Sequence, residues 1–180
     1  SRGCKIVDVS ASKEIDIETI SPVRDLIYTP GNEVQEALYD RMHNLIQEHE
    51  STIIFTNTRS ATERVVNNLT ERYPDYEDDI GAHHSSMSRE ERLKVEEALK
   101  NGELRIGVTS TSLELGVDIG AVDLVIQLGS PKGVARGIQR IGRSGHKIGK
   151  KAKGKMLVSD RDDAMECSVL TKCAKEDDLD

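Results

Sequence analysis

Three arginines on one predicted helix could bind an anion. Arg136, Arg140 and Arg143 recur at i, i+4 and i+7, with Gln139 beside them. A guanidinium group donates two aligned hydrogen bonds to phosphate oxygens and stays protonated at physiological pH. On spacing alone, these arginines form either a phosphate clamp or an ordinary solvated face of the helix.

The same helix carries an apolar stripe. Val134, Ile138 and Ile141 are also spaced i, i+4 and i+7, two residues away from the arginines. Two residues correspond to about 200° around a helix, so we expect the apolar stripe to pack on a sheet while all three guanidiniums project outward. Ser130-Pro131 is a capping residue followed by proline, which predicts the start of this helix.

The arginines lie in a segment whose charge differs from that of the rest of the chain. The 180 residues carry 25 Lys and Arg against 32 Asp and Glu, a net charge of −7. Residues 124–159 contain nine of these cations and no carboxylate, which leaves 16 cations against 32 carboxylates elsewhere. This pattern indicates a localised anionic partner such as phosphate, although the lysines from 147 to 155 could equally form a solvated loop. The nine cations are Lys132, Arg136, Arg140, Arg143, Lys147, Lys150, Lys151, Lys153 and Lys155.

Composition excludes several classes of protein. Aromatic residues make up 3% of the chain and Trp is absent, so we expect no base-stacking platform and any nucleic acid to be held by its backbone. No apolar run approaches the roughly 18 residues of a membrane span, and no secretory segment follows Ser1. The three cysteines lack metal-type spacing, which predicts reduced thiols in an intracellular protein. The missing initiator methionine suggests a piece of a longer chain, although processing or removal of a tag would look the same.

Strand-like and helix-like segments alternate along the chain. Strands that are apolar on both faces and separated by helices are typical of a doubly wound parallel sheet with helices on both faces. Short apolar runs predict strands at 52–55, 80–83, 104–109, 123–128 and 155–159. Periodicity and capping signals predict helices at 34–49, 61–73 and 88–101, and two more that begin at 131 and 160.

In this fold class, ligands bind beyond the carboxyl ends of the strands. We divide the chain into a linker or lead-in strand (1–31), one α/β domain (32–175) and an acidic tail (176–180). Function is therefore expected in the loops that follow Phe55, His83, Thr109 and Leu128.

Three motifs, in the expected order, resemble those of superfamily 2 helicases. Gln139–His146 resembles motif VI, Ile53–Ser60 resembles motif IV, and Thr109–Gly120 resembles motif V. The wording of motif V, with His83–Arg92 before it, is most similar to the large helicase-related (Lhr) family. The resemblance extends from Ser21 to Ser159 and implies the second RecA-like domain of an ATP-dependent helicase or translocase, with DNA as the expected nucleic acid.

The resemblance also implies where ATP binds. In such enzymes ATP lies between two RecA-like domains, and the first domain supplies the P-loop and the acidic motif that holds Mg²⁺. This chain contains no G-x-x-x-x-G-K-[ST], so it lacks the phosphate cradle and lysine needed for hydrolysis. We therefore expect ATP with Mg²⁺ as cofactor, an upstream RecA-like domain as partner, and no ATP turnover by this fragment alone.

Five residues match the family's nucleotide positions. Arg143 matches the arginine finger, which stabilises charge on the γ-phosphoryl group and contributes on the order of 10³ to 10⁵ in rate. Gln139 and Arg140 match neighbouring catalytic positions that face the nucleotide or couple it to the strand. Gly116 and Asp118 match motif V positions near the nucleotide, where the carboxylate would accept a hydrogen bond from a ribose hydroxyl. Asp118 could instead be a cap or turn residue.

Other matched positions bind the sugar-phosphate backbone of a strand, either a single strand or the tail of a duplex. Hydroxyl, amide and N–H groups at strand ends fix its register without reading its sequence. The matched strand-binding positions are Thr56, Asn57, Arg59, His84, Ser85, Thr109 and Ser110.

A metal site at His83-His84 is disfavoured, because no Cys or carboxylate has fitting spacing, and we predict no metal ligands.

His146 departs from the family pattern, because motif VI usually ends in a second arginine. Histidine is mostly neutral at pH 7, so a second cationic contact to the γ-phosphate is in doubt.

Two other functions of the chain stay open. One is a stand-alone module that binds nucleic acid or protein without ATP chemistry, and the other is an RNA-directed DEAD-box helicase domain, since contacts to the backbone do not distinguish sugars.

Overall fold

The computed structural model describes residues 15–110, 113, 117, 119–120, 122–144 and 151–176. Strands and helices alternate along this part of the chain, and a short 3₁₀ helix, Pro74–Tyr76, follows α2. The strands are β1 (Ile15–Ile20), β2 (Thr52–Phe55), β3 (Ile80–His83), β4 (Ile106–Thr109), β5 (Leu124–Leu128) and β6 (Ala152–Leu157). The helices are α1 (Gly31–Gln47), α2 (Arg59–Arg72), α3 (Arg89–Asn101), α4 (Val134–Ile141) and α5 (Arg161–Glu176).

The six strands form one sheet in the order β1-β6-β5-β2-β4-β3, and every neighbouring pair is parallel. Alternate side chains of β2 point to opposite faces, as the pleat requires. Ile54 packs in one apolar core with α1 and α2, while Ile53 and Phe55 pack in a second core with α4 and α5. The predicted doubly wound parallel sheet is therefore confirmed.

Local sequence signals predicted several elements closely. β2 and β3 have the predicted bounds, and the capping box that starts α3 is confirmed. Glu91 N–H donates to Ser88 Oγ at 3.2 Å, and Ser88 N–H donates to Glu91 Oε2 at 2.8 Å. α3 ends at Gly102, whose φ of 75° lies in the left-handed region that glycine adopts without strain.

The predicted start of α4 is wrong. The helix begins at Val134, with Gly133 as its N-cap, rather than at Ser130-Pro131. Ser130 Oγ instead accepts a hydrogen bond from the Lys132 N–H, and Lys132 has a φ of 59°. Because this left-handed backbone cannot be part of a right-handed helix, residues 130–133 form a loop between β5 and α4.

The bounds predicted for the last strand are also wrong. β6 starts at Ala152, three residues before the predicted position. In the first half of β6, Ala152 and Gly154 are buried while Lys153 is exposed, and these two buried residues are too small to give an apolar signal. The lysines at 153 and 155 therefore belong to a strand rather than to a solvated loop, and residues 145–150 lie outside the described part of the chain.

The strand within the predicted lead-in segment is the edge strand of the same sheet. β1 pairs in parallel with β6, with Ile15 opposite Ala152 and Ile20 opposite Leu157. Lys155 of β6 donates to Glu18 of β1 at 2.9 Å. The division of the chain at residue 31 stays a prediction. Among the described helices, none is both long and apolar enough to cross a bilayer.

Candidate functional site

The sheet brings the predicted functional loops to one edge. β5, β2, β4 and β3 lie side by side and run in parallel, so the residues that follow them meet at their carboxyl ends. Thr56 follows β2, Ser110 follows β4 and His84 follows β3. The Thr56 N–H donates to the Thr109 carbonyl at 2.8 Å, which extends the β2–β4 pairing by one residue beyond β2. We call this edge the carboxyl edge.

Arg140 lies inside the protein at this edge. Its side chain is 1% exposed, and its Cζ lies 5.1 Å from the centroid of the Phe55 ring. The Arg140 Nη1 donates to Gln127 Oε1 at 2.7 Å and makes a longer contact of 3.5 Å with Asn57 Oδ1. Its Nη2 donates to the Ser110 carbonyl at 3.3 Å. One guanidinium therefore connects the ends of β2, β4 and β5 to α4.

The prediction that three guanidiniums project from α4 is wrong for Arg140. The helix has only eight residues, and its buried residues are Gly137, Arg140 and Ile141. Gly137 has no side chain, so the backbone of α4 can lie close to Pro131 and Met156, whose atoms would be 3.3 and 3.5 Å from an added Cβ. This close approach turns Arg140 toward the sheet, and its guanidinium does not face solvent.

Gln127 holds Arg140 and was missed by sequence reasoning. It is 1% exposed within β5, where its Nε2 donates to the Leu128 and Gly129 carbonyls, both at 3.1 Å. Its Oε1 accepts from Arg140. A single amide within a strand of Leu, Val and Ile was the available signal, because a polar group in such a position costs free energy unless it is hydrogen-bonded.

Three of the seven predicted strand-binding residues are exposed. Asn57 Nδ2 donates to the Ser130 carbonyl at 2.8 Å, and Arg59 donates to Ser86 Oγ at 2.9 Å. Ser85, beside Ser86, is also exposed. Asn57 and Ser85 lie in the loops that follow β2 and β3, and Arg59 is the first residue of α2, so all three are accessible from solvent near the carboxyl edge.

The remaining four are buried. Thr56 is 1% exposed, and its hydroxyl pairs with Thr62 Oγ1 at 2.8 Å and with the Thr58 carbonyl at 3.0 Å. Thr109 and Ser110 are buried at the end of β4. The fourth is His84, which is 5% exposed.

Two histidines at the end of β3 form separate pairs with carboxylates. His83 Nε2 lies 2.8 Å from Glu96 Oε1, and burial lowers the pKa of His83 below its usual value despite this carboxylate. His84 Nε2 lies 2.7 Å from Glu63 Oε1, while its buried Nδ1 has no hydrogen-bond partner. Within the described residues, no group of three or more His, Cys, Asp or Glu side chains is arranged to hold a metal ion.

Arg143, the predicted arginine finger, is half-buried just beyond α4. Its Nη1 lies 3.4 Å from the Val117 carbonyl, and among the described residues it forms no ion pair. Gln139 and Arg136 are exposed on the same helix. Gly116, Asp118 and His146 lie outside the described residues.

Not all cations of the carboxylate-free segment are available to an anion. Lys132 Nζ donates to Glu166 at 2.8 Å and to Asp163 at 3.3 Å, both on α5. These hydrogen bonds raise the pKa of Lys132 and lower that of Glu166. Since Lys155 is likewise paired with Glu18, the positive charge is partly neutralised by neighbouring elements.

Comparisons with known sequences agree on the family. Residues 33–147 match the model of the helicase conserved C-terminal domain. The chain is 56% identical over 181 residues to an ATP-dependent helicase Lhr-Core of Methanothermobacter thermautotrophicus, covering 99% of this chain and 21% of the relative. It is 40% identical over 157 residues to an Lhr helicase/uracil glycosylase of Escherichia coli, covering 71% of this chain and 10% of the relative. The chain thus spans about a fifth or less of these relatives.

Solved structures show the same fold. The structure of Mycobacterium smegmatis helicase Lhr bound to ssDNA and AMP-PNP matches with a TM-score of 0.87 and 37% identity, over 94% of this chain and 22% of that one. The C-terminal domain of the DEAD-box protein Dbp5 matches with a TM-score of 0.66 and 20% identity, over 89% of this chain and 84% of that one. The second likeness concerns the fold alone.

Proposed function

This chain belongs to the helicase conserved C-terminal domain family, and we propose that it works as the second RecA-like domain of an ATP-dependent nucleic-acid helicase of the Lhr type. Its long relatives are named ATP-dependent helicases. The observation that carries the proposal is the connection at the carboxyl edge. There, the buried Arg140 joins Asn57 and the Ser110 carbonyl to the helix that precedes Arg143.

Arg143 is the residue we propose to contact ATP. Its guanidinium is half-buried and rests on a neutral carbonyl, so no carboxylate of the described residues has to release it before it binds phosphate. ATP with Mg²⁺ would supply the phosphoryl group and its counter-charge. The upstream domain would hold the metal, because this sequence contains no P-loop.

The chain's own residues account for two parts of the mechanism. Arg143 would place positive charge beside the γ-phosphoryl group when the two domains close, and Gln139 would lie at the same interface from its exposed position on α4. When the domains reopen after hydrolysis, Arg143 withdraws and the grip on the strand changes. Arg140 acts as a positioning residue, because its guanidinium is buried and bound to Gln127 and the Ser110 carbonyl.

The exposed residues Asn57, Arg59 and Ser85 would contact the sugar-phosphate backbone. These contacts hold a strand without reading its sequence, which suits an enzyme that moves along any strand. We propose DNA as the nucleic acid, since the 37% identical structural relative is described as bound to ssDNA. Comparing turnover stimulated by DNA, by RNA and by a hybrid tests this choice.

Two free thiols support an intracellular location. Cys167 is fully buried, and burial raises its pKa to about 12, while Cys173 is half-buried. A reduced, unreactive thiol in the core fits a reducing compartment.

The test is to join this chain to its natural upstream domain and substitute Arg143→Ala. We expect strand-stimulated ATP turnover to fall by about 10³- to 10⁵-fold while strand affinity is largely retained. Arg136→Ala is the matched control, because Arg136 is an exposed arginine on the adjoining helix. Unchanged ATP turnover in the Arg143 variant would show that Arg143 is not the arginine finger. If the upstream reading frame lacks a P-loop, a binding module without ATP chemistry replaces the helicase.

A further inference from the structure

We propose that Gln127 is a positioning residue that couples the strand-binding loops to the nucleotide-facing helix by orienting Arg140. The proposal rests on the helicase function argued above. It concerns a residue that lies in none of the sequence motifs and that contacts neither predicted ligand. Its basis is a chain of hydrogen bonds at the carboxyl edge.

The Gln127 amide can take only one orientation. A guanidinium only donates hydrogen bonds, so the group that faces Arg140 at 2.7 Å must be the Gln127 oxygen. The amide nitrogen then donates to the Leu128 and Gly129 carbonyls. Both ends of the amide are therefore engaged, and the oxygen is fixed at the end of β5.

Gln127 and Asn57 share one hydrogen-bond donor, Arg140 Nη1. Arg140 Nη1 lies 2.7 Å from the Gln127 oxygen and 3.5 Å from the Asn57 oxygen, so the contact with Gln127 is the tighter one. Gln127 is 1% exposed, whereas Asn57 is exposed and available to a strand. Gln127 is thus the buried anchor of the guanidinium, and Asn57, which also donates to the Ser130 carbonyl at 2.8 Å, is the partner that a strand can reach from solvent.

The backbone of α4 connects Arg140 to the residues that we propose to face the nucleotide. Arg140 lies next to Gln139 and three residues before Arg143, whose N–H donates to the Arg140 carbonyl at 3.1 Å. Gln127 holds the guanidinium within reach of Asn57 and of the Ser110 carbonyl, so a strand that shifts either loop also shifts Arg140 and, through the backbone, α4. Without Gln127, the guanidinium would lose its alignment with both loops, and α4 would respond less.

The experiment uses the longer chain with its upstream domain and compares Gln127→Met with Gln127→Glu. Methionine keeps the length and unbranched shape of the side chain but offers no strong acceptor, whereas glutamate keeps an oxygen for Arg140 and loses only the donations to the Leu128 and Gly129 carbonyls. The readout is the ratio of ATP turnover with saturating single-stranded DNA to turnover without it. We expect Gln127→Met to lower this ratio by about 5- to 150-fold, the range of a typical coupling between sites. Gln127→Glu should retain more of it.

Gln47→Leu is the matched control, because Gln47, the last residue of α1, also donates an amide hydrogen bond, to the Tyr76 hydroxyl at 2.9 Å. It should leave the ratio unchanged. If Gln127→Met lowers the melting temperature but keeps the wild-type ratio, Gln127 is merely structural and the inference is overturned.

A double-mutant cycle covers the case in which Gln127→Met does not fold. Asn57→Ala removes the exposed partner, and Gln127→Asn, which is one methylene shorter, withdraws the amide oxygen from Arg140. The two changes are compared singly and together. Non-additive effects on the ratio support a shared guanidinium, and additive effects contradict it. If the wild-type enzyme shows no strand stimulation, the proposed helicase function itself fails, which is a separate outcome.

Discussion

Gly154→Ala should move α4 by a calculable amount. A Cβ at residue 154 of β6 would lie 2.5, 2.6 and 2.7 Å from three side-chain carbons of Ile141. Favourable carbon–carbon contacts begin at about 3.5 Å, so Ile141 would have to move by about 1 Å. Ile141 is fully buried in the same apolar core as Val125 and Met156, which leaves it little room to move. We therefore expect the free energy of unfolding to fall by about 1–3 kcal/mol, the usual cost of overpacking.

Urea unfolding of the wild-type and variant chains measures this cost. Ile141→Ala removes all three clashing carbons, so Gly154→Ala and Ile141→Ala together should cost less than the sum of the two, by about 0.5–3 kcal/mol. Gly31→Ala is the control, because nothing lies within 4 Å of its added Cβ, and its effect should stay within about 0.5 kcal/mol. If the effects of Gly154→Ala and Ile141→Ala on the free energy of unfolding are strictly additive, the packing of Ile141 against residue 154 is refuted.

The remaining predictions concern a buried histidine and a helix cap. Because burial lowers the pKa of His83 in the folded protein, the unfolded chain binds its proton first as pH falls. The stabilisation is therefore fully present above pH 6.5, the ordinary pKa, and is lost as pH falls through the lower folded value. His83→Gln should flatten the dependence of unfolding free energy on pH between about 7 and 5, and an unchanged slope would contradict the assignment. Ser88→Ala removes the acceptor of the α3 capping box and should cost about 0.5–2 kcal/mol in urea unfolding, whereas Ser85→Ala, outside the helix, should cost less than about 0.5 kcal/mol.

The sequence predicted most elements because their signals are local. Strands β2 and β3 are short apolar runs between turn residues, and the cap of α3 is encoded by Ser88 and Glu91 alone. The meeting of the functional loops at one edge followed from parallel strands. These features depend on few neighbours, so periodicity and capping suffice to place them.

Features set by packing partners could not be predicted in the same way. The apolar stripe and the arginine stripe of α4 have identical spacing, and hydrophobicity predicts that only the apolar stripe packs on the sheet. Ile141 of the apolar stripe is buried as predicted, but Arg140 is buried as well, because the close approach at Gly137 turns it toward the sheet. β6 was placed too late because Ala152 and Gly154 are small, and Gly154 is small because Ile141 fills the space above it.

The proposed site combines both kinds of feature. Asn57 and Arg59 were recognisable from their motif, while Gln127 is defined only by what surrounds its amide in the folded protein. The roles assigned to Arg143, Gln139 and the exposed loop residues stay predictions, because they depend on a domain and ligands outside this chain.

The most direct test of the account is a structure of the longer chain bound to a nonhydrolysable ATP analogue and single-stranded DNA. We expect the Arg143 guanidinium to leave the Val117 carbonyl and to lie within about 3 Å of a γ-phosphate oxygen, with Asn57 and Arg59 on the strand backbone and Arg140 still bound to Gln127. An Arg143 that stays on Val117 in the closed, nucleotide-bound enzyme would contradict it.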